Sequence, residues 1–535
     1  LKKAALLATT LGWMTVCLPV AGQDGISATT AVQQAILTSG RAVVKVFAFD
    51  TVQQVQTGGP FSAVVVSADG FLLTAAHASR PGHTYLVTFP GGKTAVAVGM
   101  GRIDTDEKET LPDIATMKLL AAGPWPFAEM GTAVGKGDAC MMLAYPESTG
   151  LPFPTLRFGF VTDPADGHGF LVSGCTMEVG DSGGPVFDMS GRVIGVNSRC
   201  QAAEARNHHV PVTEYRKYWS SLTRQANYRQ YPQPDSGWDL PAPPAIVPLL
   251  PPGALVIQGA ALLVSKGKTT GGTVWRSCKR GTFIIGKLSD LGDTVWLKAA
   301  GGKGVRLKVV ARNPGNDLVL LYSGKDLRLP GVENLLRNLE EPAPGGFLFA
   351  ALPGGKQKRG ITGTGTFDMP PRLGSGYFGA KLVDKNTAVA IAFLDPEGPA
   401  ARSGFLPDDQ LLRINGLPST GFINDLQHYQ PHQTITVTFQ RGDSLLRQSV
   451  TLAQRPEAPA SNHPAEMYEG GKSARRDGFT KVWFSDMHIS STECGSPVFD
   501  DQARFCGIAI ARYSRTATVI LHATEIVRWM GSLSL

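Results

Sequence analysis

Three short segments bring together residue types that can break an acyl bond. Thr74-Ala75-Ala76-His77 sets a histidine just after an apolar run, Asp113-Ile114-Ala115 starts another run with a carboxylate, and Gly180-Asp181-Ser182-Gly183-Gly184-Pro185 places a serine in a glycine-rich turn. A serine hydroxyl is a weak nucleophile until an imidazole takes its proton, and a buried carboxylate fixes the tautomer of that imidazole and stabilises its cation. In this scheme Ser182 attacks, His77 serves as base and then acid, and Asp113 orients His77. The glycines beside Ser182 allow a tight turn that aims the amides of Gly180 and Ser182 at a developing oxyanion, worth roughly 3 to 4 kcal/mol per donor. Each segment is common alone; their order and joint presence point to the chemistry.

Such groups need a rigid scaffold. At about 150 residues per domain, 535 residues predict three to four domains. With 43% hydrophobic and 18% charged residues, 62 Gly and 37 Pro, the chain is neither disordered nor coiled coil. Residues 36–222 alternate short strand-like runs with Gly/Pro turns, the pattern of an all-β barrel or sandwich. Eight prolines between 232 and 252 mark 223–253 as a stiff linker. Strand-like runs resume at 254, a distinct module occupies 375–455, and a last β-rich piece ends in a helical signal at 524–530.

The chain also repeats itself. Phe170-Leu171-Val172-Ser173 and Ser182-Gly183-Gly184-Pro185-Val186-Phe187-Asp188 recur as Val482-Trp483-Phe484-Ser485 and Cys494-Gly495-Ser496-Pro497-Val498-Phe499-Asp500, all at an offset of 312. Pro112-Asp113-Ile114 recurs as Asn316-Asp317-Leu318 at a smaller offset, which insertion of the 375–455 module into the second copy explains. In that copy the segment Phe283-Ile284-Ile285-Gly286-Lys287-Leu288-Ser289 has no histidine, Asp317 survives, and Cys494 stands at the nucleophile position.

The segments around His77, Asp113 and Ser182 resemble the trypsin-like serine peptidases. That resemblance implies a double β-barrel, and it places Thr176, six residues before Ser182, at the base of the primary specificity pocket. No acid stands there, so a small or medium aliphatic residue is expected before the scissile bond. The module reads Gly376-Tyr377-Phe378-Gly379, then Gly398-Pro399-Ala400-Ala401-Arg402-Ser403-Gly404-Phe405, then Asp408-Asp409-Gln410-Leu411-Leu412-Arg413-Ile414-Asn415-Gly416. It looks like a PDZ domain of HtrA/Deg peptidases, in which the loop at Tyr377, Phe378 and Gly379 would offer amides to a peptide carboxylate while the peptide adds a strand. Asp408 departs from the glycine usual at that place.

The fold expected is therefore mainly β: two trypsin-like double β-barrel domains, 36–222 and a degenerate one formed by 254–372 and 476–535, with a PDZ domain inserted at 375–455. The function expected is that of an exported HtrA-type serine endopeptidase acting on unfolded envelope proteins, with unfolded polypeptides and peptide C-termini as partners. A homo-oligomer is compatible with that resemblance. The competing expectation is a non-catalytic scaffold or chaperone in which peptidase folds and PDZ serve as binding platforms.

Residues 1–22, basic then apolar and ending in Val20-Ala21-Gly22, have the pattern of a secretory signal peptide. They point to a bacterial periplasm, cell envelope or secreted location. Removing Cys17 leaves six cysteines, with Cys175–Cys200 the favoured bridge and Cys494 expected to be a small apolar residue or half of a disulfide. The net charge of +7 is mild, but residues 253–312 carry eleven Lys/Arg against Asp290 and Asp293. That segment is a solvated face or a contact for an anionic envelope partner, and no aromatic pattern supports nucleic acid. His208-His209 reads as a loop; no cofactor and no metal are expected.

Overall fold

The computed structural model describes residues 27–533 apart from 106–111, 237–252, 254, 299–303, 337–338, 372–375, 386–387, 420–421, 427–428, 430 and 454–462. The leader expected at 1–22 and most of the proline-rich stretch lie outside the described residues. The described residues are mainly β, with 43% in strands and 12% in helices.

Four β units follow one another. In the first, Thr94–Asp104, Thr84–Thr88, Val43–Asp50, Phe61–Val65, Phe71–Thr74 and Asp113–Leu119 pair in that order, and Thr94–Asp104 also pairs with Asp113–Leu119 to close the sheet. Leu171–Ser173, Asn207–Pro211, Val193–Cys200, Pro185–Phe187, Ala139–Ala144 and Thr155–Asp163 form a second closed barrel. These strands are short and apolar; Ala139–Ala144 is buried along its whole length, as a barrel packed on both faces requires.

The third unit is another closed barrel, made by Ala260–Ser265, Lys268–Cys278, Gly281–Lys287, Leu318–Tyr322, Val305–Asn313 and Val295–Leu297. The fourth is a seven-stranded sheet in which Phe347–Ala351 and Phe367–Met369 share hydrogen bonding with Phe479–Ser485, Pro497–Asp500, Phe505–Arg512 and Thr518–His522. Between Phe367–Met369 and Phe479–Ser485, which pair directly, the chain leaves to build a separate six-stranded sheet. That sheet has its own core of Phe378, Phe405, Phe422 and Phe439.

Several features depart from expectation. The first described element is a helix, Ala28–Ser39, capped by the Ser27 side chain on Thr30 N. Its Thr29 hydroxyl donates to Asp501 Oδ2 at 2.8 Å, so it ties the start of the described chain to the last sheet. Asn227–Tyr228, inside the stretch expected as linker, pairs in parallel with Arg102–Ile103, because the prolines that forbid pairing begin only at 232. His208 and His209 lie in a buried strand rather than a loop; His209 bonds Ser173 Oγ at 2.8 Å and Asn197 Oδ1 at 2.9 Å. Burial pushes His209 down to about 3, so it is neutral. The cysteines from Cys140 on are all free, and Cys175 lies beside Cys140, at 3.8 Å between sulfurs, with no bridge to Cys200.

Candidate active site

The three groups expected to act together come from both barrels of the first half. His77 follows Phe71–Thr74, Asp113 begins its own strand, and Ser182 lies in the turn before Pro185–Phe187. Strand pairing of Thr74 with Ala115 sets His77 beside Asp113. Asp113 Oδ1 accepts from the backbone N–H of His77 at 3.0 Å, and Oδ2 lies 2.8 Å from His77 Nδ1. Asp113 is 4% exposed, whereas the His77 side chain is 49% exposed. Burial is the largest influence on His77 and lowers its pKa, but the hydrogen bond and charge of Asp113 outweigh it, and the pKa stands above the usual 6.5. Burial likewise opposes ionisation of Asp113, yet its bonds to His77 and Ser198 hold the carboxyl below 3.8.

The Ser182 turn is wedged against the histidine segment. At Gly183, with φ +82°, an added Cβ would fall 2.2 Å from both Ser62 O and Thr74 Oγ1 and 3.2 Å from Ala75 N. Only glycine permits that approach. Gly180 has φ +94°, and a Cβ there would meet Glu147 N at 2.5 Å. The Val179 carbonyl accepts from Glu147 N at 2.8 Å. The amides of Gly180 and Ser182 have no acceptor among the described residues, so both remain available as donors.

Two groups at this site carried no signal in the sequence. Ser198 Oγ donates to Asp113 Oδ2 at 2.6 Å, a second hydrogen bond on the carboxylate oxygen that faces His77. Its role depends on the pairing of Val193–Cys200 across the barrel, which spacing cannot give. Asp181, next to Ser182, is fully buried with its Oδ2 2.8 Å from Arg157 Nη1. Burial pushes Asp181 up to about 6 although Arg157 pulls the other way. Thr176 is 3% exposed, and its hydroxyl is taken by His488 at 2.9 Å.

The second half has the same frame with other groups in it. Gly286 pairs with Val319 as Thr74 pairs with Ala115, which puts Ser289 at the place of His77. Asp317 accepts from Ser289 N at 2.8 Å and from Ser289 Oγ at 2.8 Å, and the buried Lys287 ammonium bonds the same carboxylate. Cys494 is fully buried; burial pushes its thiol up to about 11. Ser473 Oγ lies 3.5 Å from Cys494 Sγ, and Ser473 N donates to Arg512 O at 2.9 Å. The chain's own segment therefore fills the space in front of the nucleophile position.

In the inserted module, Gly379 has φ +83°, and Phe378 is buried with its carbonyl held by Ala400 N. The Tyr377 amide is not available to a carboxylate as expected, because it donates to Ala453 O at 2.8 Å in an isolated bridge. Asp408, where glycine was expected, sits at φ +70°, a conformation that glycine adopts freely. Of the basic residues at 253–312, Lys287 is buried on Asp317, Arg312 pairs with Asp293 and Arg276 with Glu333. Among the described residues no cluster of His, Cys, Asp and Glu could hold a metal, and no helix is long and apolar enough to cross a membrane.

Residues 61–196 match the model of the trypsin-like peptidase domain family. The chain thus carries a trypsin-like peptidase domain, and what it resembles within that class is an HtrA-like serine peptidase. It is 29% identical over 150 residues to the mitochondrial serine protease HTRA2 of Bos taurus, covering 26% of this chain and 31% of that protein. It is 27% identical over 145 residues to a probable periplasmic DegP-like serine endoprotease of Bartonella henselae, covering 26% of this chain and 27% of that one. The chain spans about a third of the length of the curated relatives it matches. A serine endoprotease structure from Yersinia pestis aligns with 79% of this chain and 98% of its own at 15% identity and a TM-score of 0.31, too low to argue from.

Proposed function

We propose that this chain is an exported HtrA-type serine endopeptidase that cleaves unfolded or misfolded envelope proteins at Ser182. The observation that carries this reading is the Asp113 carboxylate, which accepts from His77 N, His77 Nδ1 and Ser198 Oγ while the Ser182 turn packs on the histidine segment. With Nδ1 donating to Asp113, His77 Nε2 is the free basic nitrogen. Nε2 takes the proton of Ser182 as Oγ bonds to the scissile carbonyl carbon. The carbonyl oxygen becomes an oxyanion within reach of the Gly180 and Ser182 amides, and His77 returns the proton to the leaving amine as the C–N bond breaks. Water, deprotonated by the same nitrogen, then releases the acyl group from Ser182.

The second half is catalytically silent in this reading: Ser289 cannot serve as the base that His77 is, and Cys494 is buried behind Ser473. The inserted module is a PDZ domain whose remaining carboxylate donors are the Phe378 and Gly379 amides. Export is supported by the basic and apolar start of the sequence and by the periplasmic naming of DegP-like relatives. The test is digestion of a reduced, unfolded protein and its native form by the full chain. Cleavage of the unfolded form alone, lost in Ser182→Ala, is expected; equal cleavage by Ser182→Ala, or none by either, overturns the reading.

A further inference from the structure

The contact between the halves has a signature in the numbering. Thr176 Oγ1 and His488 Nε2 are 2.9 Å apart, Arg515 Nη2 donates to Ala203 O at 3.3 Å, and each pair is 312 residues apart in the chain. That is also the separation of Ser182 and Cys494, the offset of the repeat. Ala203 and Arg515 are each the third residue past equivalent strands, Val193–Cys200 and Phe505–Arg512. A residue that touches its own counterpart lies on or beside the axis that relates the two copies, as residues at the centre of an isologous dimer interface do. The two copies are thus joined within one polypeptide as dimer subunits are joined between two.

Arg515, with no exposed surface, comes from the second half and donates to the carbonyls of Gln201, Ala202 and Ala203 in the first, and to Pro464 and Met467 on its own side. Arg512 Nη2 donates to Glu204 Oε1 at 3.1 Å, and His488 Nδ1 faces Glu204 Oε2 at 3.3 Å while its other nitrogen meets Thr176. Thr516 Oγ1 accepts from Arg157, the partner of Asp181, at 3.3 Å. Each first-half group gripped this way neighbours the site: the 201–204 loop follows Ser198, Thr176 leads into the Ser182 turn, and Asp181 adjoins Ser182.

We infer that the second half is a built-in subunit that holds the first half's substrate site in shape across this axis, with Arg515 as its principal positioning residue and His488 as an accessory one. The inference rests on the peptidase reading for its kinetic consequence and on geometry alone for its structural one. One buried arginine that donates to three successive carbonyls of an exposed loop ties that loop to the second half, and removing it frees the loop to move. Selection can then discard chemistry in the second copy and keep its docking face.

The experiment uses the full chain as wild type, Arg515→Ala, Arg515→Lys and His488→Ala, read by hydrogen exchange and by kcat and KM on a peptide substrate. In Arg515→Ala, exchange is expected to quicken in 171–184 and 198–207 and stay unchanged in 43–104. The value of kcat/KM falls at least tenfold, mainly through KM, with the pH midpoint of His77 unmoved, and Arg515→Lys restores part of the loss. His488→Ala moves the same segments less and serves if Arg515→Ala does not fold. Wild-type exchange and kinetics in both alanine variants, or exchange raised evenly over the whole chain, overturns the inference. Exchange is read without catalysis, so an inactive wild type would overturn the peptidase reading while the exchange pattern still decides this one.

Discussion

Asp113 and Asp317 occupy the same place in two barrels and are held by the same backbone donor, His77 N at 3.0 Å and Ser289 N at 2.8 Å. Around Asp113 the remaining acceptor capacity serves a half-exposed imidazole; around Asp317 it serves a serine hydroxyl and a buried ammonium. The turns that follow keep their left-handed glycines, Gly183 and Gly495. The comparison separates shape from chemistry. A carboxylate on a backbone amide and a glycine at positive φ are enough to keep the frame, whereas turnover depends on which side chain stands over the carboxylate and on open space before the nucleophile.

The largest effect that sharpens this contrast is at the nucleophile. Ser182→Ala should lower kcat on the order of 10⁶-fold, as removal of the serine does where it has been measured, while Cys494→Ala leaves peptide hydrolysis unchanged; steady-state assays of both variants check this. Asp113→Asn should cost about 10⁴-fold in kcat. It also removes the carboxylate that raises His77. The base works unprotonated, so in wild type activity rises with pH through a midpoint above 6.5, and in the variant that midpoint moves to lower pH.

Lys287→Met in the second half takes away the ammonium that bonds the buried Asp317, leaving the Arg475 guanidinium at 3.9 Å as its cationic neighbour, and should cost about 3 kcal/mol. Urea unfolding measures that loss, and the folded protein should retain its hydrolysis. Ser198→Ala removes one hydrogen bond to a charged oxygen and should lower kcat roughly tenfold. The smallest effect is at Cys494, whose thiol, at about 11 and buried, should resist alkylation at pH 8 in the native chain and react on unfolding.

Much of this frame was legible in the sequence because repeats and glycine-rich turns are local signals. The offset of 312 located Cys494, the recurrence of Asp113-Ile114 as Asp317-Leu318 at a smaller offset located Asp317, and the alternation of short apolar runs implied β barrels. What stayed hidden depends on pairing between distant strands. Ser198 meets Asp113 only because the Val193–Cys200 strand crosses beside the first barrel, and Ser289 takes the place of His77 only through the register of Gly286 with Val319. Helix Ala28–Ser39 was missed because its apolar face is narrow, with Val32 and Ala35 as its buried apolar residues. The favoured Cys175–Cys200 bridge failed for a related reason: Cys175 points into the barrel core beside Cys140, a neighbour set by fold and not by spacing.

The account's central claim is that one chain holds two frames and a single working site. Labelling the folded full-length protein with a fluorophosphonate, and mapping the adduct by peptide mass spectrometry with Ser182→Ala as control, tests it most directly. The account predicts an adduct on Ser182 and none on Ser289, Cys494 or any other second-half residue. No adduct on Ser182 in folded protein, or one in the second half, would contradict it.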